Sequence, residues 1–406
     1  MQSYTYHISF YMKIAIIVRK LNVKGGVQRH ALYEARELQK MGHSVTLYAF
    51  IFSREDCFAE LLDGLKVVAL KSKLPVYSNY FSWKAAESEL SKQLALMIDP
   101  MTDILNPHDH GCYKVSYYFK KLVKNITSVW TMHDMPTRAF SAKMAEEAEP
   151  NFKTPLLKKI ANYLLDKYEI GKYIKKQDII AVLNERDKKL AKKCFGADAE
   201  IVRNGVDILS FPFSERAFPK KQTVLFMNGI FFRHRRFEDG IKAAKLLLDS
   251  GRDIFLNIAG NYNSDKRYYE ELTGLARELG LPGRVCFLGR VSEGRLRELY
   301  QTSDIFLFPN HMQSWGLAVF EAMASGMPVI VSKTAGASEV LTDGKNALIV
   351  SPHRPHEITD AVRRLLDNKE LYFKISREGR LFVERNMSWR RLAISYLKLF
   401  EHARKK

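Results

Sequence analysis

Short runs rich in β-branched residues alternate with helix-length amphipathic segments along this chain, and this alternation constrains its fold more than any other feature. The first six runs cover residues 13–18, 44–50, 66–70, 103–108, 128–133 and 178–183. Strands separated by helices indicate βαβ units, in which helices cover both faces of a parallel sheet. We therefore predict a doubly wound α/β domain in the first half of the chain.

The same alternation starts again in the second half. Its runs cover residues 223–229, 254–260, 284–289, 305–310, 328–332 and 347–351. Between the two series, segment 204–221 holds two prolines, a glycine and mixed charge, as is typical of a linker. Because 406 residues exceed what one core usually organises, we predict two doubly wound domains, 1–205 and 206–387. A final amphipathic helix, 388–406, is expected to pack back on the first domain.

The cysteines and the apolar runs narrow the class of protein. Cys57, Cys112, Cys194 and Cys286 are scattered without a Cys-x-x-Cys pair, which indicates neither a disulfide framework nor a thiolate zinc site. No stretch reaches the roughly 18 apolar residues of a spanning helix, and residues 1–11 do not resemble a signal peptide. We expect a cytoplasmic protein that is either soluble or peripheral on the inner face of the membrane.

The net charge of +19 is compatible with three kinds of partner: nucleic acid, an anionic membrane surface or a polyanionic substrate. Nucleic acid is the least supported, because the aromatic residues follow core periodicity and no recognisable binding module occurs. Segments 114–124 and 153–176 are basic, amphipathic and aromatic. They indicate either contact with an anionic membrane or ordinary surface helices whose lysine stems cover apolar area.

Ligands of open α/β sheets bind beyond the carboxyl ends of the strands, where helix N-termini attract anions. The loop after the first run contains Gly25 and Gly26, which open a helix. Adjacent glycines let backbone amides approach a phosphate. An ordinary βα turn explains them equally well, since they do not form the six-residue dinucleotide fingerprint.

A second such loop follows run 305–310. Gly316, Leu317 and Ala318 fall in the first turn of the predicted helix, and Glu321 follows about one turn later among apolar residues. One alternative is that this carboxylate only interacts favourably with the helix dipole. The other is that it is buried and accepts a hydrogen bond from a hydroxyl group, such as that of a ribose.

The run SWGLAVFEAMASGMPVIVSKTAGASEVLTDGKNALIV, residues 314–350, resembles the hallmark segment of the large retaining glycosyltransferase family 4, which has the GT-B fold. The runs GGVQRH, VWTMHDM, AVLNERDKKLAKK, IVRNGVD and FLGRVSEGRLRELYQTSDIFLFPN are similar to other parts of the family in the same order. The resemblance covers nearly the whole chain from residue 12. It implies two Rossmann-like domains that face each other across a cleft, and a transfer that retains the anomeric configuration.

The resemblance also implies that the second domain holds most of a nucleotide-diphosphate sugar. Glu321 would bind the ribose, and the amides of Gly316 to Ala318 would bind the diphosphate. Gly25 and Gly26 would contact the diphosphate from the first domain, which would hold a glycan or a lipid-linked acceptor.

Three histidines at strand ends of the first domain are further candidates. His133 resembles the family's active-site histidine near the transferred sugar, with a satisfied strand-end histidine as the alternative. His108 and His110 either line the acceptor side or are ordinary loop residues.

Two positions depart from the family pattern. The family usually has a glutamate eight residues before the ribose-binding one, and here that residue is Gln313. A neutral amide can hydrogen-bond to sugar hydroxyls, but it stabilises an oxocarbenium-like centre less than an anion does. The family also places an arginine and a lysine near the diphosphate; the matching residues here are Ile230 and Arg235, with Arg233 and Arg236 beside them.

Breaking the sugar–phosphate bond adds negative charge to the diphosphate, which a metal or basic groups must stabilise. No Asp-x-Asp triplet occurs, and two histidines without a third ligand are weak evidence for a metal. We expect neither metal nor cofactor, and a catalytic set of His133, Arg235, Gln313 and Glu321. Glu339 matches a family glutamate beside the donor, or is simply a helix-start carboxylate.

The sequence therefore predicts a metal-independent retaining hexosyltransferase that uses a UDP- or GDP-linked donor in cell-surface polysaccharide or lipopolysaccharide synthesis. The alternatives are a sugar-nucleotide hydrolase or phosphorylase, or a weakly active donor-binding protein of the same fold. A basic nucleic-acid-binding protein is the remote alternative.

Overall fold

The computed structural model describes residues 11–71, 80–148, 152–219 and 221–405. The chain divides into two compact units. Unit 1 comprises Met1–Gly205 together with Trp389–Lys406, and unit 2 comprises Val206–Ser388. The point of division, after Gly205, lies inside the segment predicted to be a linker.

Unit 1 is built on a seven-stranded parallel sheet. Its strands are β1 (Lys13–Leu21), β2 (Ser44–Phe52), β3 (Lys66–Lys71), β4 (Ile104–Pro107), β5 (Thr127–Met132), β6 (Ile179–Val182) and β7 (Ala199–Ile201). Their spatial order is β3-β2-β1-β4-β5-β6-β7. The six predicted strands are confirmed, and β7 is a three-residue addition at the edge that has too few residues to show periodicity.

The helices of unit 1 lie between these strands. They are α1 (Gly26–Lys40), α2 (Ala59–Leu62), α3 (Tyr80–Met97), α4 (Tyr113–Leu122), α5 (Arg138–Ala148), α6 (Leu156–Lys172) and α7 (Glu185–Phe195). A short 3₁₀ turn, Ile174–Lys176, follows α6. Local sequence fixes some ends directly: the Asn184 side chain accepts a hydrogen bond from the Asp187 amide at the start of α7, and Gly196 in the left-handed region ends it.

Unit 2 is built on a six-stranded parallel sheet in the order β10-β9-β8-β11-β12-β13. Its strands are β8 (Gln222–Asn228), β9 (Asp253–Ala259), β10 (Val285–Gly289), β11 (Ile305–Phe308), β12 (Val329–Ser332) and β13 (Leu348–Val350). Its helices are α8 (Phe237–Asp249), α9 (Lys266–Glu278), α10 (Glu293–Thr302), α11 (Leu317–Ala324), α12 (Pro355–Asp367) and α13 (Lys369–Asn386), with 3₁₀ turns at Arg233–Arg235, Tyr262–Ser264 and Gly336–Val340. The predicted class, two doubly wound α/β domains, is confirmed.

Both sheets reverse their strand order at an internal pair. In unit 1, β1 pairs with β2 on one side and β4 on the other. In unit 2, β8 pairs with β9 and β11 in the same way. Loops after the strands at such a switch point diverge to opposite faces and leave the carboxyl edge open for a ligand.

The last helix, α14 (Trp389–Arg404), follows unit 2 in sequence but belongs to unit 1, where it packs against α1 and β5. The Trp389 ring stacks on Tyr33 of α1 with centroids 4.5 Å apart. The Tyr396 hydroxyl lies 2.8 Å from Thr131 Oγ1 on β5. A polar group of the C-terminal helix thus reaches the sheet of unit 1.

The two basic segments differ in their surroundings. In α4, Val115, Tyr118 and Phe119 are buried in the core of unit 1. Of the two alternatives for segment 114–124, the structure favours an ordinary helix of the domain, because most of its apolar face is buried and only Leu122 on that face is exposed. In α6, by contrast, six large apolar residues are exposed, while Leu165 and Ile170 are half-buried. Among the described residues, no helix is long and apolar enough to cross a bilayer.

Candidate active site

At the switch point of unit 2, Arg235 connects the loops that follow β8 and β11. Its side chain lies over Gly229, where an added Cβ would sit 3.4 Å from Arg235 Cδ and Nε. With the Asn310 amide oriented to satisfy both groups, Arg235 Nη1 donates to Asn310 Oδ1 (2.8 Å) and Asn310 Nδ2 donates to the Arg235 carbonyl (3.2 Å). The guanidinium predicted to face a diphosphate is thus held at the carboxyl edge of the sheet.

A close backbone contact brings these strand ends together. Gly260, after β9, has φ +153°, and a Cβ there would lie 1.7 Å from the carbonyl oxygen of Gly229. Only glycine permits this approach.

The two other arginines of this turn are bound to carboxylates of their own unit. Arg233 makes two bonds of 2.6 and 2.8 Å to Glu271. Arg236 pairs with Glu238 at 2.6 Å and with Asp239 at 2.9 Å. Of the three candidate cations, Arg235 is the one that contacts the β11 loop.

The first turn of α11 forms where the sequence predicts it. Gly316 is the N-cap, with φ +118°, and a Cβ at this position would lie 2.8 Å from the Phe308 ring. Leu317 and Ala318 follow as half-buried residues, and the turn contains no acidic residue and no side-chain cap. Amides in such a turn attract anions, because the helix dipole adds to their own.

Glu321 is buried, and its charge has a partner within the protein. The Tyr300 hydroxyl donates to Glu321 Oε2 at 3.0 Å, and Asn228 Nδ2 donates to the Tyr300 oxygen at 3.3 Å. A buried carboxylate needs a hydrogen-bond donor, and the Tyr300 hydroxyl is that donor here. Sequence reasoning missed Tyr300, which belongs to α10 and lies 21 residues away.

Gln313 and Glu339 lie at the same edge of unit 2. The Gln313 carbonyl accepts from the Gly336 amide at 2.9 Å, and the Trp315 carbonyl accepts from the Ala337 amide at 3.0 Å. These bonds join the β11 loop to the 3₁₀ turn that carries Glu339, whose side chain is exposed.

In unit 1, Gly25 and Gly26 open α1 at the carboxyl end of β1. Gly25 is the N-cap in an extended conformation, with no side-chain cap and no acid in the first turn of the helix. The backbone amides of this turn are therefore not capped by a side chain, as an anion-binding helix start requires. An ordinary βα turn can have the same feature.

His133 and His108 come together at the ends of β5 and β4. His108 Nδ1 lies 3.1 Å from His133 Nε2, and both rings are buried. His30 of α1 packs edge-on against His133 with centroids 4.8 Å apart. His108 faces His133, and His110 is half-buried and packs on the Tyr113 ring. That these two residues line the acceptor side stays a prediction.

The histidine cluster also contains a buried carboxylate. Glu34 Oε2 lies 3.4 Å from His30 Nε2 and 3.2 Å from His108 Nε2. Burial raises the pKa of Glu34 to about 7 and lowers the pKa of His30 and His108 to about 3 each. Burial also holds the pKa of His133 well below its usual value. The three imidazoles are therefore neutral near pH 7.

A metal ion is the other chemistry that three histidines suggest. One ligand nitrogen from each of His30, His108 and His133 lies within 4.8 Å of the others. Two of these rings already bond to protein groups: His108 contacts Asn106 Oδ1 at 2.7 Å as well as His133, and His30 Nε2 lies 2.9 Å from the Tyr396 hydroxyl. A metal would have to replace some of these hydrogen bonds.

Sequence reasoning missed His30, Glu34, Asn106 and Tyr396. A signal existed for two of them: His30 and Glu34 are four residues apart on the buried face of α1, so they share one side of the helix.

Comparisons with known proteins agree with this architecture. Residues 24–208 match the family model described as Glycosyltransferase Family 4, and residues 211–382 match that described as Glycosyl transferases group 1. A D-inositol 3-phosphate glycosyltransferase of Nocardioides sp. is 24% identical over 94% of this chain and 86% of that protein.

Two solved structures show the same fold. Anabaena Alr3699/HepE, solved in complex with UDP and glucose, has a TM-score of 0.76 at 15% identity and covers 97% of this chain and 100% of its own. WaaG, described as a glycosyltransferase involved in lipopolysaccharide biosynthesis, has a TM-score of 0.67 at 16% identity, with coverage of 95% and 99%.

The buried cluster predicts how stability depends on pH. Each imidazole has a folded-state pKa below 6.5, so below that pH the unfolded chain binds a proton that the folded protein does not. Each histidine therefore lowers the free energy of unfolding as the pH falls below 6.5. Glu34 acts in the opposite direction, because its pKa is raised from 4.5 to about 7 in the folded state. As the pH falls from 7 to 4.5, Glu34 binds a proton in the folded protein before it does so in the unfolded chain, which raises the free energy of unfolding. With three histidines against one carboxyl, the melting temperature should fall from pH 7 to pH 5.

Glu34→Gln removes the compensating proton, so its free energy of unfolding should fall more steeply over that range, by up to one proton or roughly 1.4 kcal/mol per pH unit, and its melting temperature should fall with it. Calorimetric unfolding at a series of pH values measures this slope. Glu89→Gln, at an exposed carboxylate of α3, is the matched control and should keep the wild-type slope. Equal slopes for Glu34→Gln and Glu89→Gln would contradict the account.

Proposed function

We propose that this chain, which belongs to glycosyltransferase family 4, retains the anomeric configuration as it transfers a hexose from a UDP- or GDP-linked donor to a glycan or lipid-linked acceptor. The chain is a nucleotide-sugar-dependent glycosyltransferase of the GT-B type. The donor base, the sugar and the stereochemistry are our proposal. The UDP complex of Alr3699/HepE, a protein of the same fold, supports a UDP donor.

One observation carries the assignment of the donor side: Arg235, held by Asn310, shares the carboxyl edge of unit 2 with the start of α11 and with Glu321. In the proposed mechanism, Arg235 and the amides of Leu317 and Ala318 stabilise the charge that develops on the leaving diphosphate. Glu321, oriented by Tyr300, accepts from a ribose hydroxyl. A guanidinium and helix amides supply the positive charge, so the proposed transfer needs no metal ion.

On the acceptor side we propose that His133 contacts the transferred sugar. Its low pKa makes it a neutral hydrogen-bonding group near pH 7 and unsuited to act as a permanent cation. A neutral imidazole suits sugar hydroxyls, which need one donor or one acceptor at a time. Gln313, with its neutral amide, suits the same kind of partner.

We also propose that the chain works at an anionic membrane surface, in cell-surface polysaccharide or lipopolysaccharide synthesis. WaaG, of the same fold, is described as acting in lipopolysaccharide biosynthesis. The structural support is α6, in which residues 156–161 are all exposed. Its large exposed apolar residues are Leu156, Leu157, Ile160, Tyr163, Leu164 and Tyr168.

These six residues lie within an arc of about 140° at 100° per residue, so they form one stripe. The acidic residues of α6 face the opposite way. Asp166 is buried against Arg138 at 2.7 Å, and Glu169 pairs with Arg138 at 2.9 Å and Lys114 at 3.0 Å. At the same spacing, Lys167 lies within the arc and Lys159, which pairs with Glu146 at 3.1 Å, lies about 40° outside it. An apolar stripe that carries lysine matches the apolar and anionic layers of a bilayer surface.

The donor assignment predicts the effect of losing Arg235. A charge-assisted hydrogen bond contributes about 1.5–3 kcal/mol, so Arg235→Ala should weaken UDP or GDP binding by about tenfold or more. Titration calorimetry without divalent ions measures the affinity. Arg233→Ala removes the same group from a position where Glu271 already holds it, so it should bind as the wild type does. Unchanged affinity in Arg235→Ala would remove this residue from the donor site.

The membrane assignment predicts the effect of making the stripe polar. Full-length protein should sediment with vesicles that contain phosphatidylglycerol, and Leu157→Gln combined with Leu164→Gln should weaken this binding by about tenfold, because each leucine loses part of its burial energy. Leu96→Gln combined with Leu209→Gln, at equally exposed leucines outside α6, is the matched control. Equal binding of both double variants, or no binding by the wild type, would contradict the proposal.

A further inference from the structure

A chain of hydrogen bonds runs from Asn106 on β4 through His108 to His133. We propose that Asn106 is a positioning residue that sets the tautomer of His133, so that His133 holds its proton on Nε2 and presents Nδ1 as an acceptor. The functional consequence rests on the proposed function, because it requires that His133 contacts the sugar; the tautomer itself does not.

The first step is the orientation of the Asn106 amide. Asn106 Nδ2 lies 2.6 Å from the Val129 carbonyl oxygen and 3.2 Å from Thr131 Oγ1. A backbone carbonyl can only accept, so the atom facing it must be the NH₂ group. The amide oxygen, Oδ1, therefore faces His108.

The second step places the proton of His108. Asn106 Oδ1 lies 2.7 Å from His108 Nε2, and an amide oxygen can only accept, so Nε2 must carry a hydrogen. Glu34 Oε2, 3.2 Å from the same nitrogen, is a second oxygen on that side of the ring. Because the ring is fully buried, it is neutral near pH 7, which leaves Nδ1 without a proton.

The third step passes this choice to His133. His108 Nδ1, with its lone pair, lies 3.1 Å from His133 Nε2. Two lone pairs do not form a hydrogen bond, so His133 Nε2 must be protonated and donate. A neutral His133 then has its lone pair on Nδ1, the only ring nitrogen that remains to accept from a sugar hydroxyl.

The other groups around the two rings are compatible with this pattern, since Glu34 Oε2 faces the same His108 nitrogen as Asn106 Oδ1 and favours the same tautomer. His30 packs edge-on against both rings and is itself bonded through Nε2 to the Tyr396 hydroxyl. Tyr396 in turn contacts Thr131, the residue that helps to orient Asn106. Hydrogen bonds from residues of α1, β4, β5 and α14 thus favour a single tautomer of each ring in this chain.

The test is the tautomer state of the histidines in the full-length protein, read from long-range ¹H–¹⁵N correlation spectra with ¹⁵N-labelled histidine near pH 7.5. The wild type should show His108 and His133 both protonated on Nε2. Protonation of His133 on Nδ1 in the wild type would overturn the proposal without any variant.

Variants separate positioning from a merely structural role. Asn106→Leu removes the nearer of the two oxygens beside His108 Nε2 and leaves Glu34 Oε2 at 3.2 Å, a carboxyl that is partly protonated near its pKa of about 7. The His133 signals should therefore shift toward a mixture of tautomers, and kcat should fall by about tenfold, as for one misplaced hydrogen bond. In Asn106→Asp, burial favours the neutral carboxyl, whose O–H can donate to the Val129 carbonyl while its other oxygen faces His108, so this variant should keep the Nε2–H form. Ser116→Ala, which removes a buried bond to Gln177 elsewhere in unit 1, should lower only the melting temperature.

An unchanged His133 tautomer in folded Asn106→Leu would overturn the positioning role. If instead the tautomers behave as expected while no nucleotide-sugar is turned over, the proposed function fails and the inference about Asn106 stands.

Discussion

The parallel pairing of β8 with β11 is the constraint on which the candidate donor site depends. The helices that follow these two strands leave toward opposite faces of the sheet, so their first turns do not cover the edge between them. Arg235 and Asn310 bridge the two loops at 2.8 Å, and Gly316 starts α11 where a larger residue would collide with Phe308. Fixed positive groups and an uncapped helix start are thereby gathered at one edge.

Unit 1 has the same switch-point topology, but the polar groups at its strand ends differ from those of unit 2 in charge and in burial. At the ends of β4 and β5 it buries imidazoles and a carboxyl rather than exposing cations, and burial keeps those imidazoles neutral. The two units thus present two chemistries, a charged edge suited to a diphosphate and neutral hydrogen-bonding groups suited to sugar hydroxyls.

The sequence predicts what is local. Periodicity places β1 and β8 and the helices after them, and a glycine before an apolar helix places Gly316 at its start and Glu321 about one turn later. Contacts between distant segments have no such signal. Glu34 contacts His108, which is 74 residues away in the sequence. Glu271 forms an ion pair with Arg233, and no local sequence pattern predicts this pair. Segments 114–124 and 153–176 have similar composition, and only tertiary packing decides that α4 buries its apolar face while α6 exposes it.

The most direct test of the central claim is a crystal structure of this protein grown with UDP or GDP in the presence of EDTA. The account predicts a diphosphate in contact with the Arg235 guanidinium and with the amides at the start of α11, and a ribose hydroxyl bonded to Glu321. A nucleotide bound elsewhere, or one that binds only when a divalent ion is restored to coordinate its phosphates, would contradict it.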